Sequence, residues 1–232
     1  MGGADAPPAL PPRIFVLSPA NCRGIRGRML LSERAGFDLA RRLRGPGGTP
    51  LGEVFSFVSG LYFRGKLAYA RAFAAPPVGL AAALGGGALV IVPGEGLWPA
   101  DRPVTLAELR AFARVNVSAA DPRHRRSLLA AATALAGRIG TECDVVLLGS
   151  IASDRYVETL APVFGDRLRF PREFVGRGDM SRGGLLLRCV AESRQLDYAP
   201  IVGAVRRGPR PPRLAPAYLP SSPGGGSTRA RP

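Results

Sequence analysis

The residues with most to offer chemically are few and unevenly placed. Lys66 is the only lysine among 32 basic residues, and it stands in the segment LYFRGKLAYARAF between Tyr62 and Tyr69. At helical spacings of three and four, Tyr62, Lys66, Tyr69 and Phe73 share one face, and Phe63, Leu67, Ala70 and Ala74 share another. A lysine is a compact, titratable point charge whose pKa falls readily on burial, which arginine's does not. The first face therefore reads as a candidate catalytic amine between aromatic surfaces that could stack a base or ring. The same spacing also fits a plain amphipathic helix with half-buried tyrosines and a solvated lysine.

A second concentration lies between Asp144 and Gly184. An apolar run, Val145 to Leu148, ends at Gly149-Ser150, and a helical pattern with Tyr156 in its first turn follows. The loop PREFVGRGDMSRGG then carries Arg177, Asp179 and Arg182. Two arginines flanking a carboxylate suit a phosphate or carboxylate ligand, with Asp179 orienting an arginine. With Ser153 capping the helix, Gly149, Ser150 and the first helical amides are free to face that ligand.

Two more loops follow buried strands. The segment SPANCRGIRGR puts Ser18 at a strand end and Arg26 in a glycine-punctuated basic loop able to cradle an anion. It has neither the G-x-G-x-x-G nor the P-loop pattern. The segment PGEGLWPAD sets Glu95 and Asp101 on either side of the only tryptophan, Trp98, and such carboxylates suit general acid–base work or closure over a ligand.

These side chains need a scaffold, and the hydrophobic pattern supplies one. Buried strands are predicted at residues 14–17, 88–92, 145–148 and 168–170. Helical patterns cover 32–43, broken by Gly45-Pro46-Gly47-Gly48, then 61–74, 125–139 and the LLLRCVAE segment. Thr105 and Glu108 form a capping box ahead of a further helix. His124, in DPRHRR, reads as a solvated helix start rather than a catalytic group. Strands alternating with helices predict an α/β fold: a three-layer, Rossmann-like arrangement with a mainly parallel sheet of about four or five strands and helices on both faces. In such a fold the strand ends at 18–28, 93–101 and 149–153 meet the 177–183 loop in one crevice at the carboxyl edge of the sheet.

Residues 1–12 and 206–232 are Pro/Gly-rich and read as disordered, which leaves one domain over 13–205. The stretch 72–94 is uncharged, but Pro76-Pro77 and Gly85-Gly86-Gly87 make it a helix end, a short helix and a strand, not a membrane span. No basic segment with an apolar core opens the chain, as a signal peptide would. Cys22, Cys143 and Cys189 have no CxxC spacing, so with one histidine a zinc site is not expected, and reduced thiols fit a cytoplasmic protein.

The formal net charge is +15; without the six arginines of the tail it is +9 (15 − 6) for residues 1–205. A basic surface admits phosphate contact, in a small molecule or in nucleic acid. Arginine in place of nearly every lysine, with 30 Gly and 23 Pro, also fits coding bias toward GC-rich codons.

Three segments, SPANCRG at 18–24, LYFRGKLAYA at 61–70 and VPGEGLWPAD at 92–101, together with the Tyr156 helix, carry a resemblance. The chain resembles a group of bacterial α/β proteins with a strand-Cys-Gly-Lys/Arg opening, an L-Y-x-x-x-F/Y-R-K-A helix and a G-L-x-x-P loop. That group is distantly similar to the peroxide-stress protein YaaA. The resemblance covers roughly 13–190 and implies a Rossmann-like fold and a link to nucleotides or DNA.

The residues thus point to an enzyme directed at a nucleotide, nucleoside or nucleobase. Arg26, Arg177 and Arg182 would hold phosphate beside Lys66 and Tyr62, Glu95 or Asp101 would act as acid or base, and Ser150 and Tyr156 would position the substrate. The alternative is a basic nucleic-acid-binding or accessory protein without catalysis. Cofactor, metal requirement and oligomeric state stay open.

Overall fold

Strand β1, Arg13–Leu17, is buried along its whole length, and the sheet is laid out on both sides of it. The computed structural model describes residues 11–115, 121–151 and 154–214. Ser153 and most of the two terminal segments fall outside them. After β1 come α1 (Ile25–Leu31), α2 (Asp38–Arg44), β2 (Thr49–Pro50), α3 (Leu51–Ser59), α4 (Leu61–Phe73), β3 (Ala88–Val92), β4 (Gly96–Pro99), β5 (Pro103–Val104) and α5 (Leu106–Arg114). Then follow α6 (Pro122–Ile139), β6 (Asp144–Leu148), α7 (Asp154–Phe164), β7 (Leu168–Pro171), α8 (Asp179–Ala191) and β8 (Tyr198–Pro200).

The chain is α/β, with a mostly parallel six-stranded sheet in the order β4-β3-β1-β6-β7-β8. Strands β3, β1, β6 and β7 are parallel, and β4 and β8 close the edges antiparallel. Strands β2 and β5 form a separate two-stranded pair. The four predicted strands are the four parallel ones. RIFVL, ALVIV and DVVLL are buried at every position, as continuous apolar runs in a parallel sheet are.

The sheet is wider than the four or five strands expected. β4 occupies GLWP, a segment read as loop, because the turn at Gly94 and Glu95 folds it back in register from Val92↔Gly96 to Leu89↔Pro99. The single helix expected over 32–43 is also replaced, by a bend between α1 and α2. Arg44 donates to the carbonyls of Ser32, Ala35 and Ala40 and ties that bend down. The capping box at Thr105 and Glu108 forms as predicted, with Glu108 N donating to Thr105 Oγ1 at 3.3 Å and Thr105 N donating to Glu108 Oε2 at 2.8 Å.

Three features position the site. First, the chain leaves β1 for β3 on one side and returns to pair β6 on the other, so the strand order reverses between β1 and β6. Ligands of open parallel sheets bind at this reversal. Second, α4 leads through Ala74 into Ala75, which exchanges backbone hydrogen bonds with Arg13 at the start of β1 (2.6 and 2.9 Å). The helix therefore runs back along β1, and its first turns stand over the strand's carboxyl end. Third, α4 packs on α8 at very short range. A Cβ at Gly65 would come 2.6 Å from Gly183 O, and one at Gly183 would come 2.8 Å from Tyr62 Cα. Only glycine at both positions admits this approach. After β8 the chain is irregular, and Arg206 reaches Ile151 O at 3.1 Å and Asp154 at 2.6 Å. Among the described residues no helix is long and apolar enough to cross a membrane.

Candidate functional site

Lys66 is 1% exposed. Its Nζ donates to Ser18 O at 2.7 Å and lies 2.8 Å from Ser18 Oγ, at the carboxyl end of β1. Among the described residues no carboxylate lies within ion-pair distance of it. The ring of Tyr62 (4.5 Å to its centroid) and that of Phe63 (4.9 Å) are its nearest electrostatic compensation. Burial pulls its pKa down from 10.5 to about 7, with Asp179 acting against the fall and Arg182 adding to it. The amine donates to both Ser18 oxygens, which satisfies two of its N–H groups at this strand end. The solvated lysine of the simple amphipathic reading does not occur, because the Gly65–Gly183 approach closes α8 over this face of α4.

Arg182 is brought to the same place by that approach and is 5% exposed. Its Nε and Nη2 donate to Phe174 O (3.2 and 2.9 Å), and its Nη1 is 3.5 Å from both Gly149 O and Asp179 Oδ1. Asp179 itself is largely exposed. Tyr62 Oη sits beside the Arg182 guanidinium but makes no hydrogen bond of good geometry among the described residues, and burial raises its pKa. Gly149 abuts Ser18, since a Cβ there would lie 2.9 Å from Ser18 Cβ. Ser150 follows, half-buried. The structure thus brings together Ser18, Tyr62, Lys66, Gly149, Arg182 and Asp179 at the reversal between β1 and β6.

A second cluster lies at the carboxyl end of β3. Gly94 N donates to His124 Nδ1 at 3.2 Å, so the ring proton sits on Nε2, which is buried without a partner among the described residues. The ring packs edge-on to Tyr156 at 6.5 Å. Burial lowers the pKa of His124, favouring its neutral form. The solvated helix start expected for His124 is corrected: it is 5% exposed and heads the buried stripe His124, Leu128, Ala132, Leu135, Ile139 of α6. That i, i+4 stripe was the available signal.

The remaining candidates disperse. Glu95 is exposed on the β3–β4 turn. Asp101 is not in the crevice: β4 runs back down β3, Ala100 N bonds Ala88 O, and Asp101 lies against Gly85 at the opposite edge of the sheet. Arg177 turns to Ser181 Oγ (3.3 Å) and Pro212 O (3.4 Å). Arg26 is exposed on α1 with a 3.4 Å contact to Phe57 O. Tyr69 is core, hydrogen-bonded to Tyr198 Oη and to Leu196 N, and it fastens α4 to the β8 side. The thiols are buried and free, with Cys22 pushed up to about 12 and Cys143 to about 11 by burial. Among the described residues no group of three or more His, Cys, Asp and Glu could hold a metal ion.

Comparison with protein-family models, with curated proteins and with solved structures found no match.

Proposed function

We propose that this chain is an enzyme acting on a nucleotide, nucleoside or nucleobase in the crevice between the ends of β1 and β6. The observation that carries the reading is Lys66. A buried amine without a carboxylate partner is costly to a fold, and strongly perturbed groups of this kind cluster at functional sites. In this reading neutral Lys66 accepts a proton through Ser18 Oγ, Arg182 holds the substrate's phosphate with Asp179 orienting it, and the unpaired hydrogen-bonding capacity of Tyr62 Oη goes to the substrate. Neither carboxylate of the 95–101 segment takes the base role. In this reading the α4–α8 and α6–α7 pairs, each packed helix on helix, would layer opposite faces of the sheet and leave the crevice open at the strand ends.

The test is thermal shift of the full chain against mononucleotides, nucleosides and free bases. A ligand at a hundredfold excess over its Kd stabilises the native state by about 2.7 kcal/mol. Ser18→Ala and Lys66→Met should keep the fold and lose most of that shift. A wild-type shift that survives in both variants would remove the crevice from consideration.

A further inference from the structure

A second opening, a groove of about 770 Å³, lies between α1, α2 and the α3–α4 turn. Phe37 and Phe57 stack against each other in it, 5.2 Å apart with 26° between ring planes, and both are half-exposed. Three arginines line the same groove: Arg26, Arg42 and Arg64. Arg42 is neutralised by Asp38 and Glu53. Arg26 and Arg64 are exposed, and neither has a carboxylate partner among the described residues. Gly60, at φ 66°, makes the turn beneath Arg26 in a left-handed conformation that favours glycine.

We propose that this groove binds single-stranded nucleic acid. Half-exposed aromatic rings beside unpaired guanidinium groups are the sequence-tolerant means of holding a single strand, since every base has a face to stack and every link a phosphate to neutralise. A duplex hides its base faces and cannot use the Phe37–Phe57 pair. The arginines left over after local ion pairing are the ones placed for phosphate, so the charge complementarity is with a polyanion rather than with an acidic side chain already supplied by Asp38 and Glu53. Arg64 is on the same helix as Tyr62 and Lys66 but on its opposite, exposed side. The groove does not depend on the chemistry proposed for Lys66.

The test is fluorescence anisotropy of the full chain with a short labelled single strand, over a range of salt, against an Arg26→Gln/Arg64→Gln double variant and Phe57→Leu. All three side chains are wholly or partly exposed, and melting curves check that the variants fold. The double variant should bind at least tenfold more weakly at low salt. Its log–log salt slope should fall by roughly 1.4, from two phosphates at about 0.7 each. Phe57→Leu should weaken binding several-fold while leaving the salt slope unchanged, and an unlabelled duplex should compete poorly. Lys66→Met should bind the strand as the wild type does, so loss of the crevice reading and loss of the groove are separate results. The proposal is overturned if the double variant binds with wild-type affinity and slope, if a duplex competes as well as a single strand, or if the wild type does not bind.

Discussion

Lys66→Met tests the central physical claim most directly, because it removes a titrating group and leaves a side chain of similar length. In the unfolded chain Lys66 titrates near 10.5; in the fold burial brings this to about 7. The sign follows from proton binding. Between these values the unfolded chain holds the proton and the native protein does not, so stability rises with pH across the window. Below about pH 7 both states are charged and the full cost of the buried ammonium is present; it is relieved as pH climbs. With one pH unit worth about 1.36 kcal/mol and rounding at the native pKa, the gain from pH 7 to pH 9 is about 2 kcal/mol. For a chain of this size that is roughly 4–8 °C in Tm. The assay is urea unfolding of wild type and Lys66→Met at a series of pH values, read as the difference between them. Other titrations, including those of the tyrosines, cancel in that difference. The offset at one pH mixes several effects, since methionine also leaves Ser18 O and Oγ without their donor at a cost of about 1–3 kcal/mol. The slope is free of this. Wild type should gain on the variant steadily from pH 7 to 9. Parallel curves would refute the reasoning, because they would mean that Lys66 titrates as a solvated lysine and that the crevice holds no perturbed base.

Gly183→Ala should destabilise by about 1–3 kcal/mol, because its Cβ meets backbone atoms of Leu61 and Tyr62 that cannot yield; urea unfolding measures it, and ligand binding in the crevice should fall with it. Thr105→Ala should cost about 1 kcal/mol through loss of the capping box on α5 while leaving ligand-induced thermal shifts intact, a control for general destabilisation. The three cysteines should resist a thiol reagent in the native protein at pH 8 and react fully in urea, since burial raises the pKa of each; rapid native labelling would contradict their placement.

The parallel part of the sheet was legible because β1, β3 and β6 are short, unbroken apolar runs bounded by turn residues, a pattern that depends on nothing distant. β4 was not, because Gly96 and Pro99 have poor strand propensity and the segment is a strand only through its pairing with β3. Lys66 could be singled out by its rarity, and Arg182 and Gly149 by their loops. Their meeting could not be read, since it rests on two glycines far apart in the chain touching at van der Waals limits. Asp101 shows the converse error: nearness in sequence to a strand's carboxyl end was taken for nearness in space, and a hairpin carried the residue to the other edge. His124 stands among charged residues in sequence, but the apolar stripe that it begins, not those neighbours, decides its burial.

The Gly65–Gly183 contact also has a bearing on synthesis. Everything that makes Lys66 unusual arrives late, because α8 is made long after α4. On the ribosome, a chain ending before residue 179 has β1 and α4 but no lid over the amine, which remains hydrated and fully charged. β1 likewise lacks its β6 neighbour until residue 148 has emerged. The nascent protein therefore carries an apolar strand with one open edge for much of its translation, and β1 must pair with strands far along the chain, which slows folding. Truncations from the C-terminal side that enter α8 should yield not a weakened native protein but an aggregation-prone intermediate.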